Sequence, residues 1–330
     1  MLIKNEVGAV VIGRNEGERL RTCLESISQN LSHIVYVDSG SIDESEKLAI
    51  SMGVAVVPLD MSKPFSAARA RNAGFKALLN DQPELKHVQF IDGDCQLVSG
   101  WLDVAVDFLE QHTEYAVACG RRRERFPEKS VYNQLCDIEW DTPIGEATAC
   151  GGDALIRVEA FMQVDGYRDE LIAGEEPDMC FRMRENGWKI YRLDAEMTWH
   201  DAAITQFMQW WQRSKRAGYA YAEGSYLHGK SDEKYWVKET RSILFWGGLL
   251  PITLLILGVT INPWFFLGGF IYPLQVLKIA FLHPVDKNSW KNSLLYGLFV
   301  MLAKFPQVAG LSSFALLKLL SKKARLIEYK

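Results

Sequence analysis

Short apolar, β-branched runs alternate with amphipathic stretches through the first part of the chain. Residues 7–12 (VGAVVI) form a strand pattern, and Gly13-Arg14-Asn15-Glu16 leads into a helical pattern carrying Leu20, Leu24 and Ile27. Residues 33–37 (HIVYV) repeat the strand pattern and close on Asp38-Ser39-Gly40-Ser41, with a helical pattern over 43–52 behind them. Further strands are predicted over 54–57 and 88–91, with an alanine-rich helix over 66–79 between them and another helix over 102–109. Strands alternating with helices predict an α/β domain whose mostly parallel, Rossmann-like sheet is covered on both faces. From about residue 117 the alternation weakens. A loop over 141–152 leads to a strand over 154–158. A helix over 174–186 follows, with acids and Pro177 in its first turn, where capping and the helix dipole favour them. Residues 208–221 predict another helix, rich in Trp and Arg.

The pattern then changes. Residues 242–261 (SILFWGGLLPITLLILGVTI) carry no charge, and 20 residues of helix span roughly 30 Å, one hydrocarbon core. Asn262-Pro263 signals a turn, and the apolar run over 263–282 has Lys278 as its one charge, near its end. Lys234, Lys238 and Arg241 precede the pair and Lys287 and Lys291 follow it, while the turn has no basic residue. The positive-inside rule makes this a helical hairpin with both ends in the cytoplasm. Lys304 and Pro306 divide the stretch over 293–320 into two pieces of about ten residues, too short to span. A full crossing would also put Lys322, Lys323 and Arg325 outside, so amphipathic helices lying on the cytoplasmic surface are expected. Three regions result: a catalytic domain over 1–240, a transmembrane hairpin over 241–283 and interfacial helices over 284–330. The first residues lack the long apolar stretch and cleavage site of a signal peptide, so the N-terminal part is expected in the cytoplasm.

Composition adds exclusions. A net charge of −4 gives no basic face for nucleic acid. Six scattered cysteines without a CxxC pair predict reduced thiols rather than a zinc site or disulfide framework.

The chemistry-bearing residues fall at strand ends. Asn15-Glu16, Asp38 and Asp92-Gly93-Asp94 each lie just beyond a predicted strand, the edge where open α/β sheets bind ligands. Two carboxylates on a glycine turn can hold a hard divalent cation, which turns a diphosphate into a better leaving group. A strand-end Asp38 can accept from a base or ribose, or can simply cap a turn. Glu175, Glu176 and Asp178 offer a general base for an acceptor hydroxyl, or caps for their own helix. His200 ends a strand-like MTW run and can complete a metal site begun at Asp94. Arg213 and Arg216, beside Trp210 and Trp211, suit a diphosphate or a membrane interface equally.

Taken in order, VVIGRNE, VDSGSID, SAARARNAGF, FIDGDC, GGDALIRVEAFMQVDGY, GEEPDMCFRMRENGW and MTWHD resemble glycosyltransferase family 2, over about residues 7 to 225. The resemblance implies the GT-A fold and a nucleotide-sugar donor. It implies that Asp38 and Arg71 contact the nucleotide and that Asp92 faces the ribose or the metal. Asp94 would ligate Mg2+ or Mn2+ with His200 as a further ligand, and Gly151 and Gly152 would line the acceptor or donor-sugar pocket. The family usually has Glu-Asp where this chain has Glu175-Glu176, and the second of that pair is the base, so the expected base is Glu176, with Glu175 or Asp178 as alternatives. Processive members carry Gln-x-x-Arg-Trp; here Gln209-Trp210-Trp211-Gln212-Arg213 does not match, which favours single-sugar addition.

The expected protein is therefore an inverting, metal-dependent transferase at a bacterial inner membrane. Its catalytic domain would be cytoplasmic, and its acceptor a polyprenyl-linked lipid or a glycan. Two rivals stand beside it. A sugar nucleotidyltransferase has no obvious use for the acids at 175–178 or for the hairpin. A silent scaffold of a polysaccharide-assembly complex would have a damaged metal or base motif, whereas Asp92, Asp94, Glu176 and His200 are intact.

Overall fold

The computed structural model describes residues 6–282, 285, 290–321 and 327, arranged as two compact units that divide after Ala203. Lys287, Lys322, Lys323 and Arg325, which enter the topology expectation above, lie outside the described residues.

The first unit is one nine-stranded sheet in the order β3-β2-β1-β4-β8-β6-β9-β5, with β7 paired to β9. These strands are β1 (Val7–Gly13), β2 (His33–Asp38), β3 (Ala55–Pro58), β4 (His87–Asp92), β5 (Cys95–Leu97), β6 (Tyr115–Glu124), β7 (Gly145–Ala147), β8 (Ala154–Arg157) and β9 (Lys189–His200). Its helices are α1 (Glu18–Ser28), α2 (Ser45–Ser51), α3 (Ala67–Asp81), α4 (Trp101–Gln111), α5 (Val131–Glu139), α6 (Val158–Gln163) and α7 (Glu175–Glu185). The strands β3, β2, β1 and β4 pair in parallel, as the alternation of patterns predicts. Beyond β4 the sheet is mixed: β8 runs antiparallel to β4 and β6, and β5 and β7 run antiparallel to β9. The expectation of a mostly parallel sheet thus holds for β3, β2, β1 and β4, where a helix follows each of β1, β2 and β3. In the second half β6 and β9 still pair in parallel, and the antiparallel partners β5, β7 and β8 are short strands of three or four residues.

Register then does the positioning. Gly13 pairs with Asp38 and Ile12 with Asp92, so the ends of β2 and β4 stand level on either side of β1. The strands β1, β2 and β4 are buried on both faces, while β3 at the sheet edge is not. Helix α3 lies close on them because residue 74 is glycine: a Cβ there would run into Val10 Cγ1 and stand 2.8 Å from Val37 Cγ2. Ser66 starts α3 by accepting from Arg69 N–H at 3.2 Å. Under the helix, Phe75, Phe90, Phe161 and Tyr167 form an aromatic cluster with centroid spacings of 4.4 to 6.4 Å.

The second unit is helical: α8 (Phe207–His228), α9 (Val237–Leu244), α10 (Leu250–Thr260), α11 (Ile271–Leu282) and α12 (Trp290–Leu319). A π-helical turn over Phe245–Leu249 joins α9 to α10, and a 3-10 turn over Pro263–Phe270 precedes α11. Asn262 caps that turn, its side chain accepting from Trp264 N–H. The segment over 204–240, assigned from sequence to the catalytic domain, belongs to this unit because α8 packs against α12. Among the described residues, three stretches are long and apolar enough to cross a membrane: Val237–Thr260, Pro263–Leu282 and Trp290–Leu319, with mean hydropathies of 2.1, 1.7 and 1.5. The break expected at Lys304 and Pro306 is not there. Helix α12 runs through as one 30-residue helix with Pro306 buried inside it. Proline removes one N–H, but close packing on both flanks keeps the helix continuous. A Cβ at Gly310 would strike the Lys215 carbonyl of α8, and one at Gly297 would stand 2.7 Å from the Val276 carbonyl of α11.

Substituting Gly74→Val should cost about 1–3 kcal/mol by overpacking, read as a lower apparent melting temperature of the detergent-solubilised chain. An unchanged melt would mean that α3 does not sit on β1 and β2 at the described distance.

Candidate active site

The site begins where β1, β2 and β4 end. Asn15 adopts a left-handed backbone (φ 58°), a conformation asparagine tolerates. Its Oδ1 accepts from Ile42 N–H at 2.8 Å and its N–H donates to Ser41 Oγ at 2.9 Å. The N–H groups of Glu16 and Gly17 both donate to Ser45 Oγ at 3.1 Å, and the Glu16 carboxylate pairs with Arg19 at 2.7 Å. The loops after β1 and β2 are therefore laced together. Asp38 is buried and shapes its own turn: Tyr36 Oη donates to one oxygen at 3.0 Å, and Gly40 and Ser41 N–H donate to the other at 3.0 and 2.8 Å.

Arg71, buried on α3, joins distant parts of the chain. One guanidinium nitrogen meets Asp92 Oδ1 at 2.8 Å, and another meets Glu175 and Glu176 at 3.1 and 2.9 Å. Such a bidentate arrangement suits arginine and not lysine. The Tyr167 ring lies 5.6 Å from the guanidinium. Burial pushes the Asp92 carboxyl up, but Arg71 and Arg122 outweigh it and hold the group below its ordinary value. Glu176 goes the other way. Burial first, and Glu175 second, push its carboxyl up to about 7. Glu175 is 5% exposed and Glu176 14%, so Glu176 is the more accessible of the pair.

Asp178 stands apart from this convergence. Its oxygens accept from Arg168 at 3.1 and 3.2 Å and from Arg182 at 2.9 Å, and Arg182 also donates to the carbonyls of Val164 and Gly166. That network ties the start of α7 to the segment after α6. Arg213 and Arg216 lie on α8, in the second unit.

Asp94 follows the turn at Gly93, whose N–H donates to Ile12 O at 2.8 Å. The antiparallel pairing of β5 with β9 brings His200 opposite Cys95, and His200 Nε2 stands 3.2 Å from Asp94 Oδ1. Adjacent ligands on a cation with bonds near 2.1 Å lie about 3 Å apart, so the two side chains fit a divalent ion. The Trp140 ring covers His200 at 4.8 Å and lies 5.5 Å from the Arg122 guanidinium.

Two further groups belong to the site and have no part in the sequence reading. Asp153 is fully buried; it accepts from Asp92 N–H at 3.2 Å and Thr198 Oγ1 at 2.7 Å, and pairs with Arg122 at 3.0 Å. Arg122 reaches it from β6, past register shifts that re-aim the strand. The available signal was an acid between Gly152 and the apolar run ALI, a charge at the mouth of a buried strand. Gly152 itself is a close approach: a Cβ there would stand 2.6 Å from Arg71 Nη2 and 2.9 Å from Asp92 Oδ2.

Gly152→Ala is expected to part Arg71 from Asp92 and cost about 1–3 kcal/mol in equilibrium unfolding. Gly151→Ala, whose nearest new neighbour is Arg122 Nη2 at 3.5 Å, should cost less than about 0.5 kcal/mol. Equal costs at the two positions would contradict this packing.

Comparison with known proteins follows from this geometry. The profile for Glycosyl transferase family 2 matches residues 9–164. No curated protein matches the chain significantly by sequence. Among solved structures, a mannosyltransferase from Pyrobaculum calidifontis in complex with GDP-Man and Mn2+ is similar, with a TM-score of 0.58 and 16% identity; the match covers 89% of this chain and 86% of that one. Glucosyl-3-phosphoglycerate synthase from Mycobacterium tuberculosis is more distant, with a TM-score of 0.45, 16% identity, and coverage of 66% of this chain and 78% of that one. Residues 9–164, most of the first unit, match glycosyltransferase family 2, and that unit has the GT-A fold.

Proposed function

We propose that this chain is an inverting glycosyltransferase. It would move one sugar at a time from a nucleotide-sugar donor to a hydroxyl of a lipid-linked or glycan acceptor, at the cytoplasmic face of a bacterial inner membrane. The observation that carries the reading is the convergence at Arg71. Through one guanidinium, a strand-end acid beside the Asp94–His200 pair is linked to two carboxylates at the start of a helix. A transferase needs these two parts side by side: a cation seat for the departing diphosphate and a base for the incoming hydroxyl. The similarly folded mannosyltransferase binds GDP-Man and Mn2+, which supports the same class of donor and cation here.

Asp94 and His200 would hold Mn2+ or Mg2+, with Asp92 beside them, and the bound ion would neutralise the diphosphate as it leaves. Glu176 takes the proton of the acceptor hydroxyl, which attacks the anomeric carbon from the face opposite the leaving group and inverts it. Arg71 orients Glu176 and Asp92 together. Glu176 is favoured over Glu175 by its greater exposure, and over Asp178 because Asp178 is engaged by Arg168 and Arg182. Asp38, Asn15, Glu16, Gly151 and Gly152 surround the nucleotide and sugar, and Arg213 and Arg216 serve the diphosphate or the lipid interface.

Membrane attachment follows from the second unit. The hairpin over 237–282 exposes Leu249, Ile252, Leu255, Val259 and Phe281, more apolar surface than a soluble domain tolerates. Lys234 precedes it, Lys238 and Arg241 lie in its first turns and Lys291 follows it, a basic flank at both ends that favours a cytoplasmic position for both. Helix α12 is long enough to cross, but it touches the backbone of α8 at Gly218 and Gly310. Helix α8 carries Arg213, Lys215, Arg216 and Glu223, which are costly in hydrocarbon, so both helices are assigned to the interface.

Asp94→Ala and Glu176→Gln should each abolish turnover, while only Asp94→Ala weakens metal-dependent donor binding. Activity retained in Glu176→Gln would move the base to Glu175. The pH profile tests the same assignment. A base works deprotonated, so a carboxyl raised from 4.5 to about 7 moves the acid limb of kcat/KM up to about 7. Below that pH the rate constant should fall tenfold per unit, and an acid limb near 4.5 would exclude Glu176.

A further inference from the structure

No cysteine pair in the sequence has metal-binding spacing, yet the fold brings a thiol to the cation seat. Cys95 follows Asp94 and, through the pairing of β5 with β9, stands opposite His200. Cys95 Sγ lies 3.7 Å from Asp94 Oδ1, the same oxygen that His200 Nε2 approaches to 3.2 Å. The three ligand atoms lie within 4.8 Å of one another, and all three residues are buried. The two spacings to Asp94 Oδ1 are close to the edges of a tetrahedral centre. With bonds of about 2.0–2.1 Å to nitrogen and oxygen and about 2.3 Å to sulfur, neighbouring nitrogen and oxygen ligands fall about 3.3 Å apart and sulfur and oxygen about 3.5 Å apart. Three protein ligands with a fourth position open is also the ligand count of catalytic zinc sites. Cys95 Sγ belongs to a second ligand group as well, with Asp92 and Asp153.

We propose that Cys95 is a ligand of the metal centre and sets its metal preference. The proposal rests on the reading that Asp94 and His200 hold the cation. An Asp–Cys–His set favours borderline and soft ions, Zn2+, Co2+ and Cd2+, over Mg2+, which demands an octahedron of oxygens. Coordination displaces the thiol proton to solvent. A buried cysteine is ordinarily just a small apolar filler. Here its sulfur faces a carboxylate that already faces an imidazole.

The test uses the full chain in detergent, stripped by a chelator and titrated with Co2+ and with Cd2+, with no sugar donor present. A near-ultraviolet sulfur-to-metal charge-transfer band is expected. In Cys95→Ser the band should vanish and Zn2+ affinity should fall by about 100-fold or more, while Mn2+ affinity changes little. Cys150→Ser is the control, because Cys150 and Cys180 sulfurs lie 3.6 Å apart and form the other candidate sulfur site; it should keep the band. Absence of the band in the wild-type chain overturns the proposal even if Cys95→Ser does not fold. So does a band lost in Cys150→Ser. Such a failure would leave donor turnover untouched, and absent donor turnover would leave the band in place, so the two readings fail separately.

Discussion

Arg71 is a positive charge with almost no water around it, and such a charge is tolerated only when acids close by compensate its desolvation. Its compensation comes from Asp92 at the end of β4 and from Glu175 and Glu176 at the start of α7, about a hundred residues further on. The geometry of the site follows from satisfying that one guanidinium. Helix α3 must lie close on β1 and β2, which Gly74 permits. The loop before β8 must pass within contact of the ion pair, which Gly152 permits. Glu176, drawn into this buried cluster beside a second carboxylate, has its charge disfavoured and becomes a better proton acceptor near neutral pH.

The first half of the sheet was readable from sequence because its physics is local. VGAVVI, HIVYV and VQFI are apolar runs that end abruptly in polar residues, and that abrupt ending marks the binding edge. Asp92 and Asp94 announce themselves there. The second half depends on pairings between segments far apart in sequence. Nothing local to Arg122 says that it reaches Asp153, nothing near Trp140 says that it covers His200, and Cys95 gains significance only through the pairing of β5 with β9. Asp178 and Glu176 are equivalent on paper, two acids in one helical turn. Arg168, from the segment after α6, and Arg182, one turn further along α7, engage the first. Helix α12 illustrates the same limit. Pro306 is a breaker by local rules, and close packing against α8 and α11 overrides them.

The two units divide the work by solvent. In the first, apolar residues are inside and the polar edge is the working surface. In the second, large apolar side chains such as Val259, Phe281 and Leu319 face outward, at 71%, 77% and 81% exposure, a surface suited to lipid rather than water. The proposed acceptor class follows from that division, since a transferase held at a bilayer meets lipid-linked hydroxyls at high local concentration.

Nucleoside-diphosphate release tests the central claim most directly. The detergent-purified chain would be offered UDP-, GDP- and dTDP-sugars in turn, with divalent metal and after chelation. The account predicts release from one donor class, lost on chelation and restored when metal is returned. No release from any donor, together with no metal-dependent donor binding, would contradict it and leave the silent scaffold as the better description.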